Sequence, residues 1–323
     1  MTSTVQPAAS PFLMSSDTAC PPDLLSMATG VPARPVAFVR AIGAAILETA
    51  RDAHAAGLAM PVLVGEADQI EADAAAIGWS LEGARIVDTK GEQEAIEAAV
   101  AEVGAGRASG LIKGQIHTDV FMGTIVRRTS GIRTDRRLVH IFAMLPPGGG
   151  KALLISDAAV NIAPDVATRT EAALAMAGLL RRMGVDRPRI AVLSATESQL
   201  AGMPSSIEAA EIAIAAASSD TNAAFAGPLS LDLALSPESV AIKGIDPDGT
   251  VGSVAGYADG LIVPDIVSGN VLFKSLAYCA GALAAGVVLG GTVPIMLTSR
   301  SDPAAARLAS LALAAIAAQE DQT

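Results

Sequence analysis

Short apolar runs and longer, helix-spaced stretches alternate along this chain. Val36 to Arg40 reads as a strand and GAAILETARDAHAAG as the helix after it. MPVLVG, ARIVD and SGLIKG read as further strands, with helices over EADQIEADAAAIG and EQEAIEAAVAEVGAG between them. Runs such as PVLVG and GLIKG are continuous rather than alternating, as parallel strands covered on both faces require. Strand followed by helix, several times over, predicts an α/β fold with a parallel sheet flanked by helices.

A second set begins after the turn MLPPGGGK. Its strands are ALLISD, RIAVLSA, AFAGPLSL and GLIVPD, separated by helices such as ATRTEAALAMAGLLRRMG. A last strand, VPIML, leads into an alanine-rich helix. The length of 323 residues suits about two domains, and the turn at 146–150 is the boundary the pattern offers. Residues 1–24, rich in Pro, Ser and Thr, read as a loose arm.

Composition narrows the picture. The chain is 51% hydrophobic and 17% charged, which rules out general disorder. Its net charge of −11 argues against nucleic acid and against an anionic membrane surface as partners. Two distant cysteines, Cys20 and Cys279, form neither a disulfide framework nor a zinc site, and three scattered histidines suggest no metal. The N-terminus lacks a secretory pattern, so a cytoplasmic protein is expected. No charge occurs between Lys274 and Arg300. That length could span a bilayer, but Gly281, Gly286, Gly290, Gly291 and Pro294 divide it into a buried helix and a buried strand.

Ligands of open α/β sheets sit at the carboxyl ends of strands. Polar residues gather there: Lys113 and His117 after GLI, Asp157 and Asn161 after ALLIS, Asp265, Ser268 and Asn270 after LIV, and Ser299, Arg300 and Asp302 after PIML. The last junction has two readings. Asp302 and Pro303 open a helix, whose free N–H groups suit phosphate. Arg300 adds a fork for two phosphate oxygens, and Ser299 a donor for an oxyanion. Alternatively Asp302 only caps the helix, and Ser299 and Arg300 are surface residues. A second concentration is RRTSGIRTDRR, where Arg127, Arg128, Arg133, Arg136 and Arg137 lie within eleven residues. In an acidic chain it would attract a polyanion such as a nucleotide cofactor, unless it is a solvated loop.

Taken together, LIKGQIHT, GIRTDRRLVHIFAM, ISDAAVNIAP, GMPSSIEAA, GPLSLDLALS, GYADGLIVPDIVSGN and VPIMLTSRSD resemble the phosphate acetyl/butyryltransferase family over about residues 35–315. The resemblance implies two α/β domains of the isocitrate/isopropylmalate dehydrogenase type, an active-site cleft between them, and a homodimer. The closing strand and helix would return to the first domain, giving 25–145 plus 293–323 and, between them, 146–292. It implies reversible transfer of an acetyl or butyryl group between CoA and inorganic phosphate, with CoA as substrate and neither metal nor redox cofactor.

By the same resemblance Ser299 would stabilise the transition state, Arg300 would hold phosphate, and Asp302 would be the base. Lys113, His117, Arg128, Arg133, Asp157, Asn161 and Asn270 would bind substrate. The chain departs from the acetyl-type pattern at Met122-Gly123, where a Leu-Arg pair is expected, and at Leu233. These departures keep a non-catalytic regulatory module that binds acyl-CoA or acyl phosphate as an alternative. An NAD(P)-dependent hydroxyacid dehydrogenase would need grouped metal-binding aspartates and a Tyr/Lys pair, which the sequence does not display.

Overall fold

A computed structural model describes residues 10, 12–14, 19–30, 32–246, 249, 251–297 and 302–319. Ser299 and Arg300 therefore lie outside the described residues. The chain opens with α1 (Pro22–Thr29) and alternates through β1 (Arg34–Val39), α2 (Ala44–Ala55), β2 (Ala59–Gly65), α3 (Ala67–Ala76), β3 (Arg85–Asp88), α4 (Gly91–Gly104), β4 (Leu111–Lys113) and α5 (Thr118–Ile125). Two strands follow without a helix between them, β5 (Val139–Leu145) and β6 (Leu153–Ser156). Then come α6 (Val166–Arg182), β7 (Arg189–Leu193), α7 (Pro204–Ser219), β8 (Ala224–Leu229), α8 (Leu231–Leu235), α9 (Pro237–Lys243), β9 (Gly260–Ile262) and α10 (Ile266–Cys279). The chain closes with β10 (Leu283–Leu289), β11 (Ile295–Met296) and α11 (Ala304–Ala317).

Among the described residues eleven strands join in one sheet, ordered β3-β2-β1-β4-β11-β10-β5-β6-β9-β7-β8. The first five are mutually parallel, and so are the last four. Between them β10 runs antiparallel to both β11 and β5, and β5 antiparallel to β6. The two parallel blocks therefore point in opposite directions.

Strand alternation divides the core. Phe38 in β1 and Leu63 in β2 face the layer of α1, α2 and α11, whereas Ala37, Val39, Val62 and Val64 face α4 and α5. In the second block Ala191, Leu193 and Leu261 pack towards α8 and α10. Both faces are covered, which is why these strands are continuously apolar. Phe38 is fully buried, so truncating it to alanine would cost about 3–5 kcal/mol.

The helix starts follow local chemistry. Asp165 accepts from the Thr168 amide at 2.7 Å and Asp265 from the Ser268 amide at 2.8 Å, each capping a helix. Such a cap contributes about 1 kcal/mol. Hydrogen bonds from Thr168 hold the Asp165 carboxyl below the ordinary aspartate range. The polar run after LIV thus serves first to begin α10. No described helix is long and apolar enough to cross a membrane.

The charge-free stretch differs from expectation. Its helix ends at Cys279, because Gly281 takes the left-handed φ of 69°, and residues 283–289 form β10 rather than a continued helix. Nor is α10 a buried helix: only Gly269 among its residues is buried.

Candidate active site

The carboxyl ends of the first block carry one linked set of charges. Arg40, just beyond β1 and in a left-handed conformation at φ 51°, donates to Glu66 at 3.2 Å and to Glu92 at 3.3 Å. Its Nη1 also reaches the Gln115 carbonyl at 3.2 Å. Glu66 accepts from the Gly91 amide, and Glu92 lies 2.8 Å from His117 Nδ1 while accepting from the His117 amide. Burial opposes ionisation of both carboxyls. The hydrogen bonds from Gly91 and Arg40 to Glu66, and from His117 to Glu92, outweigh it and hold both below the usual carboxylate range. This network ties the ends of β1, β2 and β4 to the starts of α4 and α5. Sequence reading found His117 but not its anchors. Arg40 and Glu92 sat at the edges of recognised elements, where they read as ordinary terminal charges.

Beside it lies a pocket of about 510 Å³ lined by Gly43, Asp73, Lys113, Gln115 and Arg307. Lys113 is buried, only 8% exposed. Arg307, also buried, comes from α11; its Nε donates to Thr49 at 2.7 Å and its Nη1 to the Asp302 carbonyl. It was absent from the sequence candidates, although it is the sole charge in the run from Pro303 to Gln319. Asp302 itself stands just before α11, whose N-cap is Pro303 and whose first residue is Ala304.

Asp302 lines a second, smaller and mainly apolar pocket of about 190 Å³. Phe142, Phe273, Ala277, Ala284, Leu297 and Asp302 are among its walls. Phe142 and Phe273 stack with centroids 4.2 Å apart. The two pockets share no lining residue, but β4 and β11 pair through Ile112 and Met296, so Lys113 of the first and Leu297 of the second follow neighbouring strand positions.

The other sequence candidates fall elsewhere. Asp157 is buried, and its carboxylate accepts from the amides of His140, Ala159 and Val160 and from Asn161 Nδ2 at 2.7–3.0 Å. Asn161 also donates to the Leu138 carbonyl, and Asn270 to that of Ala158 at 3.4 Å. Gly269 lets α10 press on this loop: a Cβ there would sit 2.5 Å from the Asp157 carbonyl. Asp157, Asn161 and Asn270 are thus brought together, but on the β6 side of the sheet, four strand positions from β4. Arg133 pairs with Gly291, near the amino end of β11, and its Nη1 donates to the Val126 carbonyl at 3.3 Å. Arg128 is exposed in the short 3-10 turn Arg128–Ser130.

A pocketed strand-end junction of this kind, with a cation on one side and an apolar slot on the other, suits an acylated anion. Residues 92–315 match the family described as Phosphate acetyl/butaryl transferase. The chain belongs to that family. Phosphate acetyltransferase of Rhizobium meliloti is 41% identical over 261 residues, covering 80% of this chain and 81% of the relative. Phosphate butyryltransferase of Clostridium acetobutylicum is 31% identical over 274 residues, covering 84% and 89%. A branched-chain phosphotransacylase from Enterococcus faecalis V583 superposes with a TM-score of 0.77 at 31% identity, covering 88% of this chain and 99% of that one. A 4-hydroxythreonine-4-phosphate dehydrogenase from Klebsiella pneumoniae superposes with a TM-score of 0.53 at 14% identity, covering 89% of this chain and 100% of that one. That last likeness is of fold alone, and it joins this transferase family to a dehydrogenase-like architecture. Within the transferase family's pattern, the departure at Leu233 has a packing explanation, since its side chain is fully buried in the second block's core.

Proposed function

We propose that this protein exchanges a short acyl group between CoA and inorganic phosphate at the junction of β4, β11 and α11. In the direction of thioester synthesis, the CoA thiol loses its proton and its sulfur attacks the acyl carbon of an acyl phosphate. The C–S bond forms, the C–O bond to phosphorus breaks, and phosphate leaves with the electron pair. A thiol of pKa about 8.5 needs a base, the tetrahedral oxyanion a donor, and the phosphate a cation. We assign these roles to Asp302, Ser299 and Arg300, with Lys113 and Arg307 adding positive charge beside them. For Asp157, Asn161 and Asn270 the contacts favour a part in building the loop after β6.

The observation that carries this reading is that buried Lys113 shares a pocket with buried Arg307, whose guanidinium donates to the Asp302 carbonyl, while Asp302 also lines the smaller pocket. That pocket, with Phe142, Phe273, Ala277 and Leu297 among its walls, favours acyl groups longer than acetyl, since each methylene buried on apolar surface gains about 0.8 kcal/mol. The test is free-thiol release from acetyl-, propionyl- and butyryl-CoA with phosphate. Butyryl-CoA is expected to give the highest kcat/KM, and no release above background with any of them would overturn the assignment.

The proposal extends to assembly and location. Along α10, Val267, Val271 and Tyr278 are all more than half exposed at helical spacing, and Ile162 stands 75% exposed on the loop that α10 contacts. Such a stripe favours a homodimer over a monomer. Two unpaired cysteines and intracellular substrates favour the cytoplasm. Light scattering that returns a monomer at micromolar concentration would remove the dimer.

A further inference from the structure

The N-terminal arm reads as loose in the sequence, yet the structure ties it at one point. The Met14 amide donates to the Tyr278 carbonyl at 2.8 Å. Tyr278 is the penultimate residue of α10, so its carbonyl is among the last-turn acceptors that a helix leaves without a partner of its own. Just upstream the Leu13 amide donates to the Ser10 carbonyl at 3.1 Å, which turns the arm back on itself. Phe12, Leu13 and Met14 are all more than half exposed. Three large apolar residues in a row facing water are unfavourable unless they have a use.

The tie falls on the wall of the smaller pocket. From α10 come Phe273, Ala277 and Tyr278, and from the chain just after the helix Ala282, Leu283 and Ala284. The anchoring carbonyl therefore lies between two runs of residues that line the same space. Phe12 is two residues from the anchor, so its Cα stands within about 7 Å of that of Met14. On so short a tether the Phe12 and Leu13 side chains can reach over the pocket's rim. An acyl chain in the pocket would give them apolar surface to cover, and both surfaces would leave water together. The longer the chain, the more there is to cover.

We propose that Phe12 and Leu13 form a strap, hinged at the bond from Met14 to Tyr278, that closes over the smaller pocket once an acyl chain fills it and so favours longer acyl groups. The strap rests on the acyl-transfer reading above and adds the residues that enclose the far end of the substrate.

The test compares butyryl-CoA with acetyl-CoA in the full-length protein. In Phe12→Ser/Leu13→Ser the butyryl-to-acetyl ratio of kcat/KM should fall about fivefold. Met14→Pro keeps both strap side chains but removes the amide that ties them, and should lower the ratio in the same way. An unchanged ratio in either variant would overturn the proposal. Calorimetry with butyryl-CoA in the absence of phosphate reads the strap without turnover, and the double variant should bind about fivefold more weakly. Wild-type protein that binds butyryl-CoA but releases no thiol would end the acyltransferase reading and leave that binding difference to decide the strap. Turnover with equal binding by wild type and double variant would end the strap alone.

A last variant asks whose surface the arm covers. Met14→Cys sets a thiol beside the native, exposed Cys279. With the bond to Tyr278 in place the two Cα atoms lie within about 7 Å, the reach of a disulfide. A disulfide within one chain is expected on oxidation with diamide. A disulfide between two chains would give the arm to a second copy and overturn the proposal, and none at all would remove the tie on which it stands.

Discussion

The two edges of the first strand block hold charge in different ways. At the carboxyl edge Arg40, Glu66, Glu92 and His117 hold one another in a partly buried network, and Lys113 and Arg307 lie buried along one pocket. At the amino edge the charges border a wider cavity as separate, partly exposed pairs, Arg136 with Glu171 and Arg181 with Asp220. Buried, pinned charge is preorganised and does not have to reorient during a reaction. Partly exposed pairs are screened by salt and contribute little. The first arrangement is the one that fits chemistry.

The sharpest way to separate the edges is Ser299→Ala or Arg300→Ala. Turnover is expected to fall tenfold to a thousandfold, about 1.4–4 kcal/mol of transition-state stabilisation, with the fold kept. Unchanged rates would remove these residues from the mechanism. Next comes Asp157→Ala, which strands three amides and the Asn161 side chain. A loss of about 3 kcal/mol in urea unfolding is expected. Full stability with lost turnover would instead make Asp157 a substrate ligand.

A smaller effect lies in acid. Burial pushes His140 down to about 4, against the pull of Asp157, and its Nδ1 has no partner. The unfolded chain therefore binds one more proton than the folded one between about pH 6.5 and pH 4, and stability falls as pH falls through that window. About 2 kcal/mol should be lost between pH 7 and pH 5. His140→Gln should flatten this limb; the same slope in the variant would mean another group is responsible. The smallest effect is on selectivity. Ala277→Leu narrows the apolar pocket and should lower kcat/KM for butyryl- relative to acetyl-CoA about fivefold to tenfold. Equal loss for both would show that the acyl chain lies elsewhere.

Much of this architecture is legible in the sequence, because each parallel strand is an unbroken apolar run followed by a helix. β1, β2, β3, β4, β6, β7, β8, β9 and β11 were all expected, with ends shifted by a few residues. The two antiparallel strands were not. VHIFAML was assigned no element, and GALAAGVVL passed for helix, since alanine-rich strands beneath helices lack both alternation and bulk. Those two strands join the blocks into one sheet. Within the site, residue types at strand ends were readable. Their grouping was not, because the reversal of direction at β10 and β6 is a tertiary fact that no local run of residues encodes.

That reversal has a consequence for how the protein is made. β11 fits between β4 and β10, yet it is synthesised about 180 residues after β4. At about 5–20 residues per second, β4 waits on the ribosome for some 10–35 s as a bare sheet edge. Short β4, three residues long and ending in a lysine, is a poor template for stray pairing during that wait.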